Sequence, residues 1–317
     1  MEKFFELFER FSGNPIIRPE DMPYPVNTVF NAGAARVGED ILLLLRVEDH
    51  RGLSHLTVAR SRNGLDGWKI EAQPSLLPDP ANYPEELWGI EDPRITHLEE
   101  KDCWAVTYTA YSRSGPLVSL ALTEDFKSFT RLGAVLPPEN KDAVLFPVRF
   151  KGDWLMLHRP VPATPGVGAH IWMAASPDLR HWGEHRVLLP ARQGGWWDAN
   201  KIGACAPPLP TDEGWLLLYH GVKNTVSGCV YRLGLALLDL EDPRRILARS
   251  RQWVMAPKKD YEMVGEVAEV IFPCGWVRQG GRVILYYGCA DNCLASARAE
   301  LNELLGWLKA DSAGEDE

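Results

Sequence analysis

One pattern occurs five times in this sequence: a turn bearing Gly or charged residues, followed by a dense β-type apolar run. The five copies are RVGEDILLLLRV, HLEEKDCWAVTYTAY, RFKGDWLMLHRP, LPTDEGWLLLYHG and WVRQGGRVILYYGCADN. Such runs read as strongly buried strands. Each is followed, after a polar loop, by a second run rich in small residues: LSHLTVARS, LVSLALTED, HIWMAASPD, YRLGLALLDL and CLASARAEL. The pairs predict antiparallel hairpins. Residues equivalent by pattern, Arg46, Tyr108, His158, His220 and Tyr287, recur at intervals of roughly 50 to 67, within or somewhat above the repeat length of propeller blades. Turn-like links such as SRNGLDGW and SPDLRHW follow the second runs, where a third strand begins.

The expected fold class is therefore all-β, a five-bladed β-propeller. A β-sandwich uses similar short strands but does not explain repetition at this period. The expectation is one propeller domain over residues 1–317, with about 1–13 and 299–317 forming terminal helices and tail. Lys3 to Phe11 reads as helical, as does Ala299 to Leu308, where Leu301, Leu304, Leu305 and Leu308 share one face. Those apolar faces permit a homo-oligomeric interface. The N-terminus has neither a signal peptide nor a membrane span, so the cytoplasm is the default. A net charge of −9 argues against general nucleic-acid affinity. The six cysteines lie scattered in apolar runs with no CxxC pair, as expected of small buried thiols rather than zinc ligands.

If the five dense runs line a central channel, polar residues at their ends converge on one space. Arg46, Glu48 and Asp49, then Tyr108, His158, Arg159, His220 and Asp291, stand at such ends. Asn31, Asp92, Lys141, Asp142, Lys201, Glu266 and Glu269 stand just before the runs. Asp92 in GIEDPRIT is the sharpest case. Pro93 biases Asp92 toward an extended conformation and Arg94 balances its charge. As a general acid Asp92 needs its pKa raised, by burial or by Glu91. The bland reading is an Asp-Pro turn with a structural ion pair. Lys141, Arg159, Lys201 and His220 come from separate repeats, and their convergence in an acidic protein implies an anionic ligand, with phosphate a good match. Trp88, Trp196 and Trp197 stand beside these motifs, and one or two of them are expected to contact a sugar ring, the other tryptophans being core.

GIEDPRIT, NKDAVLFP followed by LMLHRP, GGWWDANKIG, GWLLLYHGV, VYRLGLALLDLEDP, and VIFPCG followed by LYYGCAD resemble, in order, the motifs of glycoside hydrolase family 130. The resemblance runs from about Asn14 to Ala297. It implies a five-bladed propeller and an inverting phosphorylase that cleaves β-mannosides with inorganic phosphate to give α-mannose 1-phosphate. It further implies that Asp92 is the one protein acid, relaying its proton through the mannose 3-hydroxyl. By the same resemblance Lys141, Arg159, Lys201, His220 and Tyr231 grip phosphate, while Asn31, Arg46, Asp49 and Asp291 surround the mannosyl unit. No cofactor or metal is implied, and phosphate is the co-substrate. Lys141 stands where several relatives carry arginine, which keeps the charge and loses the bidentate fork. Glu269 falls where asparagine is common.

A channel-facing Glu266 or Glu269 would instead suit an inverting β-mannosidase, which needs a carboxylate to activate water. A non-catalytic sugar-binding or protein-interaction propeller has no use for a proton-donating Asp92. A glycosidase propeller with three acidic residues has no use for the cations. The acceptor, expected to be mannose or a short manno-oligosaccharide, depends on loops at the channel mouth, including Pro74 to Glu86, Ser112 to Pro116 and Val161 to His170.

Overall fold

The computed structural model describes residues 6–313 except 165 and 227. It contains five antiparallel sheets, four built from strands consecutive in the chain and the fifth closed by a strand from the N-terminus. Blade 1 comprises Thr28–Val37, Asp40–Glu48, Ser54–Ser61 and Lys69–Ile70. Blade 2 comprises Ile90–Leu98, Cys103–Ser112, Gly115–Thr123 and Thr130–Leu136, and blade 3 Asn140–Phe150, Asp153–Pro160, Ile171–Ser176 and Gly183–Leu189. Blade 4 comprises Lys201–Ala204, Gly214–Thr225, Gly228–Leu238 and Ile246–Arg249, with Leu209–Thr211 pairing its second strand. Blade 5 joins Ile271–Gln279, Arg282–Cys289 and Cys293–Glu300 to Glu9–Arg10 from the N-terminus.

The repeats are thus the blades of an all-β, five-bladed propeller, but the strand order differs from expectation. The dense apolar runs are the second strands, flanked on both sides, and not the innermost ones. The first strands, which carry FNAGAA, IEDPRIT, NKDAVLFP, KIGA and IFPCG, pack against one another around the axis. Crowding there selects small residues: a Cβ on Gly33 would lie 2.7 Å from the Pro93 carbonyl oxygen. The pattern alignment is also off by one residue. Arg46 pairs with Phe30, Thr109 with Glu91 and Arg159 with Lys141, so Arg46, Thr109 and Arg159 are equivalent. Because the side-chain period is two, a slip of one residue reverses the face. Tyr108 accordingly donates to Glu86 and Tyr287 to Glu262, both inside the protein and away from the axis.

Most of the apolar interior lies in five layers, one between each pair of neighbouring blades, with a small sixth cluster at Val270, Phe272 and Cys274. The C-terminal segment is helical over Leu301–Ser312, and Leu301, Leu304, Leu305 and Leu308 are buried on the layer shared by blades 4 and 5. That apolar face is spent within the chain and offers no oligomer interface. At the other end, residues 1–5 of the expected helix lie outside the described residues, and the rest forms a strand at Glu9–Arg10 instead. FFELFER has helical spacing, yet pairing with the open edge of blade 5 satisfies backbone groups that a helix would leave exposed there. No helix among the described residues is long and apolar enough to cross a membrane.

Propeller closure is fixed by charge as well as backbone. Arg10 Nε donates to Glu262 at 2.7 Å, and its terminal nitrogens reach Glu262, Glu6 and the Ala256 carbonyl. Glu262, fully buried, also accepts from Tyr287 and from the backbone of Lys258 and Lys259. Removing one member of such a network strands the others in a low-dielectric site. Glu262→Ala is therefore expected to lower stability in urea unfolding by about 3–5 kcal/mol. A loss below about 1 kcal/mol, the scale of an exposed pair, would show that closure does not use this clasp.

Candidate active site

Three first strands bulge at the same place. The pairing registers shift between Phe30 and Gly33, between Glu91 and Arg94, and between Lys141 and Val144. The bulged residues Asn31, Asp92 and Asp142 have φ of +44°, +50° and +57°. Asn and Asp tolerate this left-handed region better than other non-glycine residues, and a bulge re-aims the side chain it carries. Asp92 is therefore left-handed and inside a strand, not extended before one. Pro93 fits because a bulge needs no ladder N–H there.

The re-aimed side chains meet in an axial cavity of about 450 Å³, within the range of small-ligand sites. Nine of the ten residues expected at the site line it: Asn31, Arg46, Asp92, Lys141, Arg159, Lys201, His220, Tyr231 and Asp291. The tenth, Asp49, lies in the turn after the second strand of blade 1, its oxygens taken by Arg51 and the Leu53 N–H. Glu266 and Glu269 are exposed and do not line the cavity; their loop contributes Val267 instead. None of the three singled-out tryptophans lines it either. Trp197 is buried in stacked contact with Tyr219, Trp196 packs against Arg192, and Trp88 meets Tyr111 edge-on.

One side of the cavity surrounds Asp92, which is only 5% exposed. Its Oδ1 accepts from Asn31 Nδ2 and from Arg46, both at 2.9 Å. Burial alone would raise its pKa, but Arg46, Lys141, Arg94 and the Asn31 bond outweigh burial and hold it below the usual carboxylate value. The raised pKa expected of Asp92 is thus not found. Glu91 supplies no help, because it sits between Arg46 and Lys141 at 3.2 Å from each. The raised carboxyl is Asp291, pushed up to about 6 by burial and by Asp92, Glu91 and Glu48, against the pull of Arg46.

The other side is cationic. Asp142, buried at 1% exposure, receives Arg159 Nε at 2.6 Å and Arg94 at 3.1 Å, with His220 Nε2 at 3.5 Å. Arg159 spends Nε on this bond, which leaves its terminal nitrogens for an anion. Burial holds His220 neutral, its pKa pushed down to about 3, with Arg159, Lys201 and Arg94 reinforcing burial against Asp142. It is a hydrogen-bonding group here and not the cation expected. Burial and Arg159 also lower Lys201, whose Nζ donates to the Tyr231 hydroxyl at 3.3 Å. Tyr231 is pushed up to about 12, chiefly by burial, so it remains a donor.

Three residues noted in the sequence take roles that it did not assign them: Asp142, Arg94 and Glu91. Asp142 orients Arg159, and Arg94, 1% exposed, ties the backbone of Asp92 and of Cys205 to Asp142. The signal that locates Asp142 is its equivalence to Asp92 and Asn31 in the inner strands, visible once FNAGAA, IEDPR and KDAVL are aligned on one another.

A bulge-mounted carboxylate thus shares the axial cavity of a five-bladed propeller with a group of cationic side chains. The glycoside hydrolase family 130 model, described as beta-1,4-mannooligosaccharide phosphorylase, matches residues 5–310. The chain belongs to glycoside hydrolase family 130. It is 32% identical to a beta-1,2-mannobiose phosphorylase of Listeria innocua over 96% of this chain and 99% of that one. It is also 32% identical to a beta-1,4-mannooligosaccharide phosphorylase of Ruminococcus albus over 97% and 92% of the two chains. The solved structure of the Listeria innocua enzyme with beta-1,2-mannobiose superposes with a TM-score of 0.87 at 31% identity, covering 96% of this chain and 99% of that one.

Asp291 supplies a pH test. Its folded pKa lies above its unfolded value, so the folded chain binds the extra proton and stability falls as pH rises from about 4 through about 6. Asp291→Asn, which also tolerates the φ of +50°, removes this loss. Its stability relative to the parent protein should improve by about 2 kcal/mol between pH 4 and pH 7.5 in urea titrations. An unchanged difference across that range would contradict the raised pKa.

Proposed function

We propose that the protein is an inverting β-mannoside phosphorylase, releasing α-mannose 1-phosphate from β-mannobiose or a short β-manno-oligosaccharide. The observation that carries this reading is one cavity lined both by Asp92, held by Asn31 and Arg46, and by a second group, Arg159, Lys201, His220 and Tyr231. Lys141 stands between the two, paired with Glu91.

Phosphate arrives already anionic and needs positive partners and donors, not a base. The carboxylate on its side, Asp142, is engaged by two arginines and is poorly placed to activate water. In the reaction a phosphate oxygen bonds to mannose C1 from the face opposite the leaving oxygen as the C1–O bond of the β-mannoside breaks. The leaving oxygen takes a proton that Asp92 delivers, by family resemblance through the mannose 3-hydroxyl. The proton that Asp92 delivers is the one hydrogen phosphate brings, so the sum is mannoside plus hydrogen phosphate giving α-mannose 1-phosphate plus the free acceptor.

The lowered pKa of Asp92 fits this sequence of events. Ionised at rest, Asp92 gains its proton when the phosphate charge enters the cavity and offsets Arg46 and Lys141. Asn31, Arg46 and Asp291 then hold the mannosyl hydroxyls. Inorganic phosphate is the co-substrate and no cofactor is required. Six free cysteines, five of them buried and Cys229 exposed, suit a reducing cytoplasm.

With β-1,2- and β-1,4-mannobiose, turnover is expected to rise with phosphate and saturate, giving α-mannose 1-phosphate. Asp92→Asn should lower kcat by at least about 100-fold while leaving phosphate affinity within a few-fold. Turnover independent of phosphate, with free mannose as product, would replace this reading by the hydrolytic one.

A further inference from the structure

A second cavity, of about 370 Å³, lies in the crevice between blades 2 and 3. Its walls are mainly apolar, contributed by Leu136, Pro137, Pro160, Val161, Val167 and Trp172. It adjoins the axial cavity, since Val161 lines both. The same two strands also feed both spaces. On the first strand of blade 3, Asn140 faces the crevice and Lys141 the axial cavity; on the second, His158 faces the crevice and Arg159 the axial cavity. This follows from the alternation of side chains along a strand.

The polar part of the crevice is small, made of Asn140 and three histidines. His158, 3% exposed, bonds Asn140 through Nδ1 at about 3 Å and lies 3.4 Å from His185 Nδ1 through Nε2. Burial, with His185 beside it, holds His158 neutral, pushed down to about 3. His170 accepts the Ala191 N–H and is likewise lowered by burial. No Asp, Glu, Lys or Arg is among the described residues lining the crevice. A free anion or a bare sugar, with polar groups on every edge, would leave most of its hydrogen bonds unmade in such walls. A planar apolar group has an indole, rigid prolines and valines to cover it.

We propose that the crevice between blades 2 and 3 is an aglycone site, taking an uncharged aromatic or alkyl group attached to the leaving sugar of the β-mannoside. This rests on the phosphorylase reading, since it assigns the leaving side of that reaction. It makes glycosides of the acceptor sugar better partners than the free sugar. Val161, Pro162, Val167 and Gly168 form the outer wall and select for the group.

Reverse phosphorolysis tests the assignment. In that direction the C1–O bond to phosphate breaks, a hydroxyl oxygen of the acceptor bonds to C1, and the acceptor proton leaves with phosphate as hydrogen phosphate. The methyl and phenyl β-glycosides of the same hexose, glucose and then mannose, are compared as acceptors with α-mannose 1-phosphate as donor. The phenyl glycoside is expected to have a kcat/KM at least about tenfold higher, through a lower KM. Trp172→Ala should remove that preference while leaving KM for α-mannose 1-phosphate unchanged. Val167→Trp, at an exposed position where folding is not at risk, should remove it by filling the crevice. Equal use of the two glycosides by the parent protein, or a preference that survives both substitutions, overturns the proposal while mannosyl transfer itself leaves the phosphorylase reading standing. If no acceptor is mannosylated, the phosphorylase reading fails, and saturation-transfer NMR of phenyl β-glucoside decides the crevice by itself. Binding weakened by Val167→Trp supports it, and no binding or equal binding overturns it.

Discussion

The cationic half of the cavity depends on the bonds that Asp142 makes with Arg159 and Arg94 inside a site almost closed to solvent. A lone buried carboxylate is costly, and so is a lone buried arginine; together they satisfy one another and fix geometry. Burial alone would raise the Asp142 pKa, but Arg159, His220 and Arg94 hold it well below the usual carboxylate range. Asp142 therefore stays charged across the physiological range and keeps Arg159 in one orientation. The position is available because the inner strand of blade 3 bulges there, and because its neighbour on the adjacent blade 4 is Gly203, where a Cβ would collide with the Asp142 carboxylate.

The same device, used in three successive blades, gives the three side chains different tasks. Asn31 in blade 1 donates to Asp92, Asp92 in blade 2 is the carboxylate at the centre, and Asp142 in blade 3 organises the arginines. Arg94 links the last two through the Asp92 carbonyl and the Asp142 carboxylate. Preorganised charge of this kind acts on a transition state without reorganising during the reaction. It also leaves Asp92 and Asp291 in contrasting states, one lowered by Arg46 and Lys141 despite burial, the other raised by burial and by its acidic neighbours.

The period of the repeats was legible in the sequence, and with it the propeller and the number of blades, because each blade needs one fully buried strand and that strand is unmistakably apolar. Its rank in the blade was not legible. The most apolar strands are covered by neighbours on both sides, whereas the innermost strands mix small residues with the polar ones that face the cavity, and so read as loops. The site residues emerged nonetheless, since the motifs that look least like strands are the axial ones. Asp49 is an example of proximity in sequence without proximity in space: one turn beyond Arg46, its oxygens fold back onto Arg51. Charge states were hardest to read. His220 is neutral and Asp92 lowered for reasons that lie in contacts with blades 1, 2 and 3, which spacing along one chain does not reveal. The N-terminal strand failed for a similar reason, its partner lying at the far end of the sequence.

The most direct measurement is a crystal structure of the protein soaked in phosphate, with the anion located by difference density. The account predicts one phosphate against Arg159, Lys201, His220 and Tyr231, on the Asp142 side of the cavity, with Asp92 across from it. Phosphate bound elsewhere while that place holds only water, at concentrations that saturate turnover, would contradict it.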